Sequence, residues 1–185
     1  MQNGPLKDLK DEHEGITLML DIMKKVASRL KNKEEVKAEH LEKITEFLSN
    51  FADKCHHGKE EGILFPEAVK DVSNLTMINE LLGEHKTGRD YIRGIKESQT
   101  GYETGNPDAY HIAVNMEGYI MLLSEHIRKE NEKLFPAIEK QIPDGTQLLI
   151  KEKFDALERD VIGEGKHEEY HGWLRDLKRH YLNLN

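Results

Sequence analysis

An eleven-residue pattern that occurs twice constrains this chain more than anything else in it: His56-x-x-x-Glu60-x-x-x-Leu64-Phe65-Pro66 recurs as His126-x-x-x-Glu130-x-x-x-Leu134-Phe135-Pro136. A second landmark repeats with nearly the same offset, roughly seventy residues, as Leu9-x-x-Glu12-His13 and Leu81-x-x-Glu84-His85. Identities at fixed spacing that include imidazoles and carboxylates set a hard condition. The fold has to accept polar side chains where apolar ones would ordinarily stand.

The apolar residues around these landmarks step by threes and fours, the spacing of one face of an α-helix. One seam runs through Leu9, His13, Ile16, Leu20, Met23, Ala27 and Leu30, and a second through Leu41, Ile44, Leu48, Phe51 or Ala52, Cys55 or His56, Glu60 and Ile63. Pro66 predicts a kink or stop near the end of the second helix. A third seam holds Ile78, Leu81, His85, Gly88, Ile92 and Ile95, and a fourth Ile112, Met116, Tyr119, Leu123, His126, Glu130 and Leu134. A lysine-rich turn at Lys31 to Glu34 and a loop at Thr100 to Pro107 separate neighbours.

The pattern predicts an all-α fold, an antiparallel up-and-down four-helix bundle over residues 1–141. Residues 142–185 predict a C-terminal helical extension packed on the bundle, with Phe154 and Leu157 in one helix, Trp173 and Leu177 in the next, and the breaker Gly163-Glu164-Gly165 between them.

Residues i and i+4 of a helix lie one above the other, so His56 with Glu60, and His126 with Glu130, can each reach a common point. His13 and His85 occupy core slots on the other two helices. Four imidazoles and two carboxylates then converge on the bundle axis. Burying two ionised carboxylates among Leu and Ile costs several kcal/mol each, roughly, unless a cation compensates them. The count of donors predicts two metal ions, one with His13 and His56, the other with His85 and His126, and Glu60 and Glu130 bridging. Imidazole and carboxylate without thiolate suit iron best, as two non-haem iron ions with an oxo or hydroxo bridge; zinc and manganese are the alternatives. Each ion keeps an open position for dioxygen, nitric oxide, peroxide or water.

Other candidates have plainer readings. A lone histidine on an apolar face is usually a hydrogen-bonded core residue, but six matched positions are a different matter. His57 follows His56 by about 100° of an α-helix, so only one of the pair is expected to face the axis; the repeat selects His56. Cys55 reads as a small core residue and Tyr119 as a core tyrosine with a hydroxyl near the site. His167-x-x-x-His171 has ligand spacing but lies on one helix with no donors from others, and His40, His111 and His180 read as surface residues.

Composition excludes some classes. With a net charge of −8 and no dense block of Lys or Arg, the chain is a poor partner for phosphate backbones, so no nucleic acid is expected. No stretch approaches ~18 consecutive apolar residues, and the start lacks the apolar run of a signal peptide, so no membrane association and a cytoplasmic location are expected.

The H, HxxxE, H, HxxxE order resembles the hemerythrin family in its HHE cation-binding branch, over about residues 6 to 140. The resemblance implies an antiparallel bundle holding a non-haem di-iron site with the six residues above as ligands. Oxygen-carrying members have HxxxH on the third helix and HxxxxD on the fourth; here residue 89 is Arg and the fourth helix has HxxxE. The site is therefore more similar to that of the iron–sulfur cluster repair proteins and the F-box iron sensor, although the N-terminal cysteine region of the repair proteins has no counterpart here. The expected function is binding or sensing of dioxygen, nitric oxide or iron. The alternatives are an enzyme or repair protein that turns over peroxide or nitric oxide or donates iron to damaged clusters, and a structural metal that ties the helices together.

Overall fold

The computed structural model describes residues 4–103, 108–163 and 165–182. These form six helices: α1 (Pro5–Lys31), α2 (38–68), α3 (Leu75–Glu103), α4 (109–141), α5 (Asp144–Val161) and α6 (Lys166–Tyr181). The described residues contain no strand. Pro5 opens α1 at a position where its missing N–H is harmless. The loop expected at Thr100 to Pro107 begins later than the sequence implies, because α3 continues through Thr100 to Glu103; residues 104–107 lie outside the described set.

Cross-helix pairs fix the directions of the first four helices. Along α1 and α4, His13 meets Asn131 while Lys31 meets Glu117. Along α2 and α3, Thr45 meets Gln99 while Asp53 meets Arg89 and Glu61 meets His85. Rising numbers on one helix meet falling numbers on its neighbour, which is an antiparallel bundle. Helices α3 and α4 approach closely because each is opposed by a glycine: a Cβ at Gly118 would run into the Tyr91 ring, and one at Gly94 into the Asn115 amide.

Neither Pro66 nor Pro136 ends its helix. In both repeats the turn before the proline widens to a π-helix, Glu60–Leu64 and Glu130–Leu134, with the amide of Phe65 bonded back to the carbonyl of Glu60 and that of Phe135 to that of Glu130. A proline ring collides with the carbonyl four residues earlier in an α-helix, and a widened turn moves that carbonyl away. A longer π-helical stretch, Phe47–His57, precedes the first of these.

Two apolar clusters fill the interior, and a polar layer separates them. On α1, Leu6 and Leu9 belong to one cluster and Ile16 onward to the other, with His13 between. The same break falls between Ala52 and Leu64 on α2, Leu81 and Ile92 on α3, and Ile127 and Leu134 on α4. Both clusters include the C-terminal helices: Ile150 and Phe154 of α5 join the first, and Tyr170, Leu174, Leu177 and Tyr181 of α6 the second. Trp173 is partly buried against Tyr170.

Candidate metal centre

Five histidines point into the polar layer from four helices, and each has its Nδ1 beside an oxygen. His13 meets Asn131 Oδ1 at 3.0 Å, His56 meets Glu12 Oε2 at 2.7 Å, His85 meets Glu61 Oε1 at 2.8 Å and His126 meets Glu84 Oε2 at 2.9 Å. His57 lies 3.4 Å from Asp53 Oδ1. An Nδ1–H donated to such an oxygen fixes the tautomer and leaves a lone pair on Nε2. Those nitrogens face one another: His13 and His56 Nε2 are 3.0 Å apart, and His85 and His126 Nε2 are 3.1 Å apart.

The two carboxylates span these pairs. Glu60 puts Oε1 3.7 Å from His56 Nε2 and Oε2 3.5 Å from His85 Nε2. Glu130 puts Oε2 3.2 Å from His13 Nε2 and Oε1 3.3 Å from His126 Nε2. Each carboxylate thus offers one oxygen to each pair of histidines. Both side chains are 0% exposed, and none of their four oxygens has a hydrogen-bond partner among the described residues. Buried polar atoms are normally satisfied, so an unsatisfied set this concentrated fits a cation.

Without a cation the layer divides its charge unevenly: burial opposes protonation of His126, but Glu130 and Glu84 outweigh it and raise that imidazole to about 9. Burial and the neighbouring Glu130 carboxylate push Glu60 well above the usual carboxylate range. Burial also opposes ionisation of Glu130, but His126 and His13 outweigh it and hold that group well below the range. Burial lowers His56 to about 4, so its imidazole is neutral and able to donate a lone pair.

Phe65 and Phe135 explain the rest of the repeated motif. Phe65 stacks on His85 at 6.0 Å and Phe135 on His13 at 5.6 Å, so each widened turn carries an aromatic lid to a histidine of another helix. Glu12 and Glu84, the residues just before His13 and His85, do not serve their own neighbours; each crosses to the histidine of the adjacent HxxxE helix. The repeated Glu-His dipeptide was the signal for them.

All six residues singled out from the sequence meet in this layer, within two groups of donor atoms: His13, His56, Glu60 and Glu130 form one, and His57, Glu60, His85 and His126 the other. His57 departs from the sequence reading, since it is 2% exposed rather than turned away. The α-helical angle of about 100° does not apply in Phe47–His57, where a π-helix holds more residues per turn and successive side chains diverge less. His56 can then face α1 while His57 faces α3.

Other residues have ordinary explanations. Cys55 is buried and pushed up to about 12 by burial, so it stays a thiol. A third cluster of Glu12, Cys55 and Glu158 already holds a cation, the Lys59 ammonium, bonded to Glu12 and, at 2.9 Å, to Glu158 of α5. His167 and His171 lie on Phe51, in no group of three or more donors among the described residues. His40 is not a plain surface residue, since its Nδ1 lies 2.8 Å from the Tyr181 hydroxyl. Tyr119 is fully buried and its hydroxyl has no partner among the described residues. Tyr119→Phe is therefore expected to keep or raise the unfolding free energy measured in urea, by up to about 1 kcal/mol; a loss of that size would show that the hydroxyl is satisfied.

The hemerythrin HHE cation binding domain matches residues 4–138 of the chain. The chain belongs to this hemerythrin family. No curated protein and no solved structure matches it. The family match covers α1 to α3 and all but the last three residues of α4, including every histidine and glutamate of the polar layer, and stops before α5. Within the HHE domain, the buried His and Glu groups could hold metal ions. None of the described helices is long and apolar enough to cross a membrane.

Proposed function

We propose that this HHE protein binds a pair of non-haem iron ions and uses an open position on them to bind or sense dioxygen or nitric oxide. The observation that carries this reading is the pair of carboxylates, Glu60 and Glu130, each with one buried, unsatisfied oxygen turned to each pair of histidines. One ion would take His13 and His56, the other His85 and His126. The donors are nitrogen and carboxylate oxygen, with Cys55 turned to Lys59 instead, a set that suits iron, with zinc or manganese as alternatives.

A bound pair of irons would supply the redox-active open position; the chain supplies the surroundings. Asn131, Glu12, Glu61 and Glu84 hold the imidazoles in the tautomer that presents Nε2 inward. Phe65, Phe135 and the two apolar clusters keep bulk water from the layer, which strengthens every electrostatic contact within it. A reducing compartment such as the cytoplasm suits both a ferrous centre and a lone thiol.

Oxygen added to the anaerobic ferrous protein is expected to produce a charge-transfer absorption that disappears when the gas is removed. Irreversible bleaching with release of iron would count against binding or sensing, and multiple turnover with an electron donor would make the protein an enzyme.

A further inference from the structure

We propose that His57 is a fifth imidazole donor to the centre, on the side of His85 and His126, so that the two ions are held unequally. This rests on the reading that His13, His56, Glu60, His85, His126 and Glu130 hold a metal pair. Several observations single out His57. It is 2% exposed, and its Nε2 has no hydrogen-bond partner among the described residues. One donor atom from it lies within 4.8 Å of donors from Glu60, His85 and His126, all buried. Its ring stacks on that of His85 with centroids 3.8 Å apart and planes 16° from parallel, so the two imidazoles approach the layer side by side. Its other nitrogen lies 3.4 Å from Asp53 Oδ1, a longer contact than the corresponding ones of the other four histidines but on the same side of the ring. A buried imidazole held at Nδ1 and unsatisfied at Nε2 has the arrangement of a metal ligand.

Arg89 supports the same assignment. It stands one turn beyond His85, and its guanidinium donates to Asp53 at 2.8 Å and to Glu61 at 2.6 Å. Those are the carboxylates behind His57 and His85. Residue 89 thus braces two imidazoles from outside while α2 provides the additional donor.

The consequence is a count. The ion beside His57 would have three imidazoles and the other only two, with Glu60 and Glu130 common to both.

Ferrous iron titrated anaerobically into the metal-free protein, followed by calorimetry, tests the assignment. His57→Phe keeps a ring to stack on His85 and removes the donor. The wild type is expected to take up two ions per chain; the variant should bind one with unchanged affinity and the other at least about tenfold more weakly, since even outer groups around a metal are worth that much. Two ions bound by His57→Phe with unchanged affinities would overturn the proposal and leave the metal pair standing. Loss of both ions from a variant with wild-type helix content would overturn the inequality. No uptake by the wild type would remove the pair itself. Should far-UV dichroism show that the phenylalanine disturbs the fold, His57→Gln carries the same expectation.

Discussion

Glu60→Gln is expected to stabilise the metal-free protein and to abolish its stabilisation by metal. Among the described residues Glu60 alone belongs to both groups of donor atoms, and both of its oxygens are buried without partners. Without a cation such a carboxylate destabilises the fold, and a neutral amide of the same shape should return about 1–3 kcal/mol. With cations the sign reverses. A ligand at a thousand times its dissociation constant stabilises the native state by about 4 kcal/mol per site, which for a chain of this size raises the melting temperature by roughly 8–16 °C. Glu60→Gln should forfeit most of that rise for both ions, because a glutamine cannot bridge them with two anionic oxygens. His13→Ala, which faces one group only, should forfeit part of it. Melting curves with and without ferrous iron separate the cases: a Glu60→Gln protein less stable than wild type without metal, or still stabilised by it as wild type is, would contradict the account.

The second large effect concerns the C-terminal helices. Removing residues 142–185 is expected to leave a chain without a cooperative transition, even though the family match ends at residue 138. Ile150, Phe154, Tyr170, Leu174, Leu177 and Tyr181 are buried in the two clusters that sandwich the polar layer. Full burial of a large apolar side chain stabilises by about 1.5–3 kcal/mol, so their combined loss approaches the whole stability of an ordinary domain, about 5–15 kcal/mol. Truncation would also take Glu158 from Lys59, a nearly inaccessible ammonium that holds Glu12 and through it His56. A fragment 1–141 that melts cooperatively and binds metal like the full chain would show that α5 and α6 are accessory.

Much of this molecule could be read before any coordinate was known, for identifiable reasons. Seams such as Leu9 to Leu30 have a period that only helices share, and short polar connections leave few ways to pack them. The six central residues were legible because the HxxxE and Leu-Phe-Pro motifs repeat in register. His57 was not, because its direction depends on a π-helix that propensity does not mark. Pro66 suggested a kink or stop for the same reason: the widened turn that accommodates it, like the one before Pro136, is set by tertiary context. The pairing of Lys59 with Glu158 joins residues about a hundred positions apart, and no local pattern announces it.

The central claim is that cations sit between these side chains. Anomalous diffraction from crystals of the iron-loaded protein measures that most directly. Two peaks are expected in the polar layer, one beside His13 and His56 and one beside His85 and His126, with Glu60 and Glu130 between them. A layer without anomalous density in crystals whose iron content is established, or iron bound only at the surface, would contradict it.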